Sequence, residues 1–192
     1  AVKRSRKVVK KLTAGVGFLL KKNNVELISD AAVLANKNEI QLQKSGKSIT
    51  ADNIIIATGS NFREFPNMPI DEKRVITSRQ ALELKEIPDK IAIVGGGATG
   101  IEFGYIFNAY GSEVTIIELA DRILNKEDTD VSKELTKIYE KKGIKILSNT
   151  QIEKLEVKDK SVMANLITDG KESSLEFDTL MVAVGAEANT KN

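Results

Sequence analysis

The sequence predicts an α/β fold in which a parallel sheet is combined with an antiparallel β-meander. β-branched apolar runs at 91–94 and 114–118 predict buried strands, and they flank a predicted helix over 100–110. A strand-helix-strand unit of about 30 residues implies a parallel pair of strands with a right-handed crossover. Residues 151–177 contain three short extended segments with turn residues between them, and these predict the meander.

The composition excludes several kinds of chemistry. The 192 residues include no Cys and no His, which rules out thiolate nucleophiles, disulfides, zinc-thiolate sites and imidazole bases within this chain. The 29 basic and 27 acidic residues give a formal charge of +2, which indicates neither nucleic acid nor a membrane surface as a partner. No apolar run approaches the roughly 20 residues needed to span a bilayer, and we expect a cytoplasmic protein. We predict no metal site.

The first part of the chain is predicted to contain a helix and several short strands. The helix covers 1–22, and its basic residues alternate with apolar ones at helical spacing, so we interpret them as a solvated face rather than a binding arm. A turn at Ser45-Gly46 predicts a hairpin, and Ile54, Ile55 and Ile56 predict a strand buried on both faces. The expected extended segments are 25–29, 31–35, 39–42, 47–50 and 53–57.

The prolines place a domain boundary. Pro66 and Pro69 bracket a connection, and we expect one domain over 1–66 and a second over 67–192. Ser78 is expected to cap a short helix over 79–84. The other elements expected in the second domain are a helix over 129–142 and strands over 144–147, 151–157, 161–167, 175–177 and 180–184.

A glycine-rich turn between the strand at 91–94 and its helix carries the chemistry. Gly95 permits a tight turn, Gly97 lets a pyrophosphate approach the backbone, and Gly100 allows the helix to pack closely on the strand. The N-terminus of the helix then presents unpaired N–H groups and a positive dipole end to phosphates. This context predicts a Rossmann-like dinucleotide site. An ordinary strand-helix turn is the alternative.

Glu118 completes the predicted site at the end of the second strand. It lies about 20 residues after the glycines, where an acid accepts hydrogen bonds from the adenosine ribose hydroxyls. Its charge would repel a 2′-phosphate, which favours NAD over NADP, although Arg122 is a candidate for binding such a phosphate. Glu102 is placed in the first turn of the helix, where it either interacts with the dipole or lies near the nicotinamide.

Several motifs together resemble those of the flavin-dependent pyridine-nucleotide disulfide oxidoreductases. Residues 78–84, Ser-Arg-Gln-Ala-Leu-Glu-Leu, are followed by Ile-Pro-Asp-Lys at 87–90 and the glycine turn. Ala-Thr-Gly-Ser at 57–60 is similar to a flavin-domain motif, and Val-Ala-Val-Gly at 182–185 to a closing motif. Within the family the pattern is most similar to the dihydrolipoyl dehydrogenase branch. Ala186 and Ala188 depart from it, since Arg and Pro usually stand there.

The resemblance implies a set of cofactor contacts and no catalytic residue in this chain. Ile152 would pack on the adenine, with core packing as the alternative, and Gly185 would contact NAD through its backbone. Ala32, Thr58, Gly59 and Ser60 would line an FAD site, the alternative for 58–60 being a plain turn. The NAD pyrophosphate and nicotinamide side would be held by Gly95, Gly96, Gly97, Ala98, Thr99, Gly100, Ile101 and Glu102.

The resemblance also implies that 1–66 is a β-rich part of an FAD-binding domain, that 67–192 is the NAD-binding domain, and that both belong to a longer parent enzyme. In the family, electrons pass from a dihydrolipoyl group to a cysteine pair, to FAD, and then to NAD as hydride. The flavin fingerprint and the cysteine pair are expected upstream of this chain, and the dimerisation domain with its His-Glu pair downstream. The implied partner is the lipoyl-bearing acyltransferase of a 2-oxo acid dehydrogenase complex. We expect a homodimeric parent and a monomeric, inactive chain. A sister disulfide reductase and a non-catalytic NAD-binding module are the alternatives.

Overall fold

A computed structural model describes residues 2–190. They form two compact units, the first running to Ser60 and resuming at Ala188, and the second spanning Asn61–Glu187. Within the described residues, no helix is long and apolar enough to cross a membrane. The assignment of 1–66 and 67–192 to an FAD domain and an NAD domain stays a prediction.

The first unit contains a helix and a small antiparallel sheet. Helix α1 (Val2–Lys22) confirms the predicted helix, and its basic side chains are exposed as expected, although its apolar side chains are not buried either. β1 (Ala32–Asn36), β2 (Glu39–Leu42) and β3 (Ser48–Thr50) form a three-stranded sheet in that order. β2 and β3 pair as the predicted hairpin, with Gly46 at a left-handed φ of +69°.

The strands expected over 25–29 and 53–57 are absent. Both stretches have irregular backbone, and Ile55 and Ile56 are 92% and 69% exposed instead of buried. An apolar run becomes a buried strand only when strands pair with its backbone groups and other layers cover its faces. The three-stranded sheet of the first unit consists of β1, β2 and β3, and neither of the two stretches pairs with it.

The remaining elements follow in chain order. They are β4 (Ser60–Phe62), β5 (Val75–Thr77), α2 (Ser78–Ala81), β6 (Lys90–Val94), α3 (Ala98–Ala109), β7 (Glu113–Ile117), α4 (Thr129–Lys141), β8 (Lys145–Leu147), β9 (Thr150–Val157), β10 (Val162–Thr168), β11 (Lys171–Phe177), β12 (Thr179–Val182) and β13 (Ala186–Ala188).

A five-stranded parallel sheet forms the centre of the second unit. Its strands lie in the order β5, β12, β6, β7, β8, and Val94 is in register with Val182 on one side and Ile117 on the other. The order confirms the parallel sheet and the β6-α3-β7 crossover. β5 was not predicted, because its three residues are too few to show a periodic pattern.

Two helices of the second unit, α2 and α3, begin earlier than predicted, whereas α4 begins at Thr129 as expected. α3 begins at Ala98, and Gly111 follows it with a left-handed φ of +98°. The predicted cap of α2 at Ser78 is wrong. Thr77 caps the helix, since its hydroxyl accepts from the N–H of Arg79, and the Gln80 amide oxygen accepts from the N–H of Thr77. This is a reciprocal capping box.

The predicted meander is confirmed. β11, β10 and β9 lie side by side and antiparallel, and the turn between β10 and β11 uses Asp169 and Gly170, both with positive φ. Positive φ at both central residues is the geometry that matches the twist of a two-residue hairpin. β11 spans seven residues and is longer than the stretch 175–177 that was expected.

The sheet is covered on both faces, which explains why its strands are continuous apolar runs. Ala92 and Val94 contribute to a core shared with the meander, whereas Ile91 and Ile93 contribute to a core shared with the helices. All four side chains are at most 7% exposed. The meander therefore covers one face of the sheet, and α3 and α4 cover the other.

Candidate nucleotide-binding site

The glycine turn lies at the carboxyl edge of the sheet, where β6 ends and α3 begins. β7 and β8 lie on one side of β6, and β12 and β5 lie on the other, so the strand order reverses at β6. In open α/β sheets, ligands bind outside the carboxyl ends of the strands at this kind of switch point.

The glycines of the turn are constrained in different ways. Gly95 has a φ of +106°, and a Cβ on it would lie 2.6 Å from the carbonyl oxygen of Ala183. A Cβ on Gly100 would collide with the carbonyl oxygen of Gly95. Gly97 has an ordinary φ of −76°, and a Cβ on it would meet no atom within 4 Å. The fold itself requires Gly95 and Gly100, whereas the space above Gly97 is open to a ligand.

The N-terminus of α3 presents unpaired backbone donors at this opening. Gly97 is the N-cap residue and has no side chain with which to accept a hydrogen bond. Its carbonyl accepts from the N–H of Ile101 at 3.0 Å, and the N–H groups that precede Ile101 in α3 have no carbonyl one turn earlier to bond. Ala98 and Thr99 are exposed. The positive end of the helix dipole therefore faces accessible space, which suits an anion.

Glu118 lies directly beside the glycine turn. One carboxylate oxygen accepts from the N–H of Gly96 at 2.6 Å, and the other accepts from the N–H of Ala120 at 2.7 Å. Each oxygen of an ionised carboxylate has about two acceptor positions, so both keep capacity for a further donor such as a hydroxyl. The sequence predicted that Glu118 and the turn share one site, but it gave no signal for the bond to Gly96.

Arg122 is engaged within its own loop. One guanidinium nitrogen lies 3.2 Å from a carboxylate oxygen of Asp121, and another donates to the carbonyl of Asn125 at 3.0 Å. The side chain is 30% exposed. The Nε of Arg122 is buried and has no hydrogen-bond partner among the described residues, so the guanidinium keeps unused donors. A contact between Arg122 and a 2′-phosphate stays a prediction.

Glu102 does not lie in the first turn of α3, because the helix begins at Ala98. Its expected place in that turn is therefore wrong, and its side chain is exposed. The pKa of the Tyr139 hydroxyl is raised, first by burial and then by the negative charge of the nearby Glu102 carboxylate.

Ile152 and Gly185 occupy different environments. Ile152 is only 4% exposed and belongs to the core between the sheet and the meander, which agrees with the core-packing alternative and leaves little side chain for an adenine. Gly185 is exposed, has a φ of +95° and follows the carboxyl end of β12, the strand beside β6. Their contacts with NAD stay predictions.

The residues expected to line an FAD site belong to the first unit. The Thr58 hydroxyl donates to the carbonyl of Asn189 at 2.9 Å, and the N–H of Asn189 donates to the carbonyl of Gly59 at 3.0 Å. The two motifs near residues 58 and 189 are thus bonded, which spacing alone did not indicate. Ser60 and Ala32 are exposed. The FAD contacts of these residues stay predictions.

Comparison with known proteins identifies the class. A family model described as pyridine nucleotide-disulphide oxidoreductase matches residues 1–192, so the chain belongs to that family. Among curated relatives, the dihydrolipoyl dehydrogenase of Chlorobaculum tepidum is 41% identical over 189 residues, which are 96% of this chain and 40% of the relative. That of Acholeplasma laidlawii is 41% identical over 194 residues, 99% of this chain and 56% of the relative.

Solved structures agree with the fold. The HOCl-induced flavoprotein disulfide reductase RclA from Escherichia coli matches with a TM-score of 0.85 and 28% identity, covering 99% of this chain and 43% of that one. LpdA from Mycobacterium tuberculosis matches with a TM-score of 0.86 and 24% identity, covering 98% of this chain and 42% of that one, and supports the fold alone. The chain thus spans about half or less of the proteins it matches.

Proposed function

We propose that this chain is the NAD-binding portion of a flavin-dependent dihydrolipoyl dehydrogenase. The observation that carries the proposal is the open space at Gly97, next to the uncapped N-terminus of α3 and the Glu118 carboxylate. The fold does not require glycine at position 97, and a residue without a side chain there lets a pyrophosphate approach the backbone.

The residues of the chain would bind and orient NAD. The free N–H groups of Ala98 and Thr99 would donate to the pyrophosphate, and Glu118 would accept from the adenosine ribose hydroxyls. The same carboxylate would repel the 2′-phosphate of NADP. Gly185, at the end of the neighbouring strand, is placed to contact the nucleotide through its backbone. When bound, NAD supplies the hydride-accepting chemistry, and the protein supplies its position.

The reaction proposed for the parent enzyme is inferred from the curated relatives. Because these relatives are dihydrolipoyl dehydrogenases, they support an enzyme in which a dihydrolipoyl group is oxidised through a disulfide and FAD, with hydride passed to NAD. This chain contains no Cys or His that could accept the electrons or move the proton, and alone it is proposed to be inactive. A lipoyl-bearing acyltransferase is the proposed partner of the parent, and the parent is proposed to be a homodimer.

One observation favours a second candidate. The match to RclA from Escherichia coli, at 28% identity, is to a flavoprotein disulfide reductase of another kind. The same nucleotide site serves either parent, so the site does not separate these two functions. The redox substrate that the parent reduces or oxidises would separate them.

A calorimetric titration of the chain with NAD tests the proposal. Gly97→Val places a branched side chain in the open space, and we expect NAD affinity to fall at least about tenfold, or about 1.4 kcal/mol. The chain should stay folded, because valine at this N-cap costs only about 1 kcal/mol of stability. Gly17→Val is the matched control, because Gly17 lies on α1 with nothing within 4 Å of its would-be Cβ. No binding of NAD by the unaltered chain, or equal binding by the Gly97 variant, would contradict the proposal.

A further inference from the structure

The loop between β7 and α4 contacts the glycine turn from behind. The N–H of Leu124 donates to the carbonyl of Gly96 at 2.8 Å. The side chain of Ile123 is fully buried, and a Cβ on Gly96 would lie only 2.7 Å from its Cγ2. With its N–H bonded to Glu118, Gly96 has both backbone polar groups occupied and no space for a side chain.

α4 fixes this loop through a buried hydroxyl. Ser132 is 1% exposed, and its Oγ donates to the carbonyl of Ile123 at 2.6 Å. A buried carbonyl that loses its donor is costly to leave unpaired, so this bond constrains the backbone at Ile123. α4 is also hydrogen-bonded to α3, because the Tyr139 hydroxyl donates to the carbonyl of Ile101 at 2.8 Å.

We propose that Ile123, fixed in place by Ser132, is a positioning residue for the glycine turn and thereby sets the affinity for the pyrophosphate. The inference rests on the proposed function. Ile123 supports Gly96, and Gly96 leads directly into Gly97 and the first N–H groups of α3. A displacement of Ile123 would therefore shift the donors that would hold the phosphates, although the side chains of Ile123 and Ser132 are themselves buried. The interior is close-packed, so such a displacement is transmitted rather than absorbed.

The first test removes the Ser132 hydroxyl. Ser132→Ala is compared with Thr136→Ala, which removes a hydroxyl one turn further along α4 that donates to the carbonyl of Ser132 at 2.9 Å. Amide hydrogen exchange at Gly96, measured by NMR, shows how well the turn is held in place without any ligand. Calorimetry with ADP-ribose measures an affinity that includes the pyrophosphate contacts. An NMR titration with adenosine measures an affinity that includes the ribose contact and no phosphate contact.

We expect Ser132→Ala to speed exchange at Gly96 and to weaken ADP-ribose binding about fivefold, with adenosine affinity changed less than twofold. Thr136→Ala should change none of these. An unchanged exchange rate at Gly96, or equal losses for ADP-ribose and adenosine, would overturn the inference. If the unaltered chain failed to bind ADP-ribose, the proposed function would fail, and the exchange rate would still decide the positioning role.

The second test uses the contact between Gly96 and Ile123. Gly96→Ala alone directs a methyl group at the Ile123 Cγ2 and should lower ADP-ribose affinity at least about tenfold. Adding Ile123→Leu removes that Cγ2 while conserving side-chain volume, and the double variant should recover to within about threefold of the unaltered chain. Binding by the double variant no better than by Gly96→Ala would contradict the positioning role.

Discussion

The carboxylate of Glu118 accepts a hydrogen bond from the backbone N–H of Gly96 at 2.6 Å, which joins the end of β7 to the turn that follows β6. A hydrogen bond to an ionised acceptor is about twice as strong as a neutral one. The acid is thus both a candidate ligand for ribose and a support of the phosphate-binding turn, and its substitution should affect the two functions together.

Glu118 is expected to set the choice between NAD and NADP. Hydrogen bonds from ribose hydroxyls to a carboxylate contribute about 1.5–3 kcal/mol each, and two charges about 4 Å apart at a surface repel by roughly 4 kcal/mol. NAD should therefore bind at least about a hundredfold more tightly than NADP. Glu118→Ala should weaken the binding of NAD and should bring the affinity for NADP closer to the affinity for NAD. Calorimetry with both nucleotides measures this.

Glu118→Gln is the control for that experiment, because it keeps the shape of the side chain and removes the charge. The glutamine variant should lose most of the preference for NAD over NADP. It should lose less NAD affinity than the alanine variant, because its single amide oxygen still accepts a hydrogen bond from one backbone N–H. If either variant kept the preference for NAD over NADP, a group other than Glu118 would determine whether a 2′-phosphate is accepted on the adenosine ribose.

Substitution of Gly95 should lower the free energy of unfolding more than substitution of Gly97. Gly95→Ala forces a Cβ against the Ala183 carbonyl at a left-handed φ, and we expect the free energy of unfolding to fall by about 1–3 kcal/mol. In Gly97→Ala the new methyl group meets no atom, and only the better N-capping of glycine is lost, so the free energy of unfolding should fall by less than about 1 kcal/mol. Urea denaturation followed by circular dichroism measures both, and equal losses at the two positions would refute this distinction.

Asp71 should make stability depend on acid pH. Burial acts to raise its pKa, but hydrogen bonds from the N–H groups of Lys73, Val75 and Arg74 outweigh burial and hold the pKa below its usual 3.8. A carboxyl whose pKa is lower in the folded state stabilises the fold at pH values above 3.8. That stabilisation is lost as the pH falls from 3.8 through the folded pKa.

Asp71→Asn should accordingly lower the melting temperature at pH 7, and the difference from the unaltered chain should shrink below pH 3.8. Asp52→Asn, at an exposed carboxylate in the first unit, is the matched control and should leave the melting curve unchanged. A pH-independent difference for Asp71→Asn would show that its effect comes from packing and not from charge.

The chain alone should not reduce NAD with dihydrolipoamide as donor. The oxidation of a dithiol in this family needs a cysteine pair, and the 192 residues contain no Cys and no His. An absorbance assay for NADH with added FAD is the measurement, with a complete dihydrolipoyl dehydrogenase as the positive control. Turnover by the purified chain above the rate without protein would be incompatible with the proposal.

The parts of the fold that local rules determine could be predicted from the sequence. β6, α3 and β7 follow from apolar runs, glycines and helix length, all of which are visible within about 30 residues. β5 was missed because Val75–Thr77 becomes a strand by pairing with β12, more than a hundred positions away. The run at 53–57 was misjudged because apolar character predicts burial but not whether neighbouring strands are present.

The sequence indicated which segments contribute to the candidate site, but it did not indicate the contacts between those segments. The order of strand, glycines, helix and acid predicted that Glu118 lies beside the glycine turn, and its carboxylate is hydrogen-bonded to Gly96 there. The binding of NAD by these residues stays a prediction. The bond from Gly96 to Glu118 and the support of Gly96 by Ile123 depend on how a loop folds back under the turn, and no spacing rule encodes that. For Ile152 the sequence left two alternatives open, and its burial agrees with core packing.

NAD is proposed to bind at the glycine turn of this chain. An NMR titration of the isotope-labelled chain with NAD, followed at the backbone amides, tests this. We expect the largest chemical-shift changes at Gly97, Ala98, Thr99 and Glu118, and we expect all four to saturate together with one NAD bound per chain. No change at these amides in the presence of excess NAD, or larger changes at residues outside the carboxyl edge of the sheet, would contradict it.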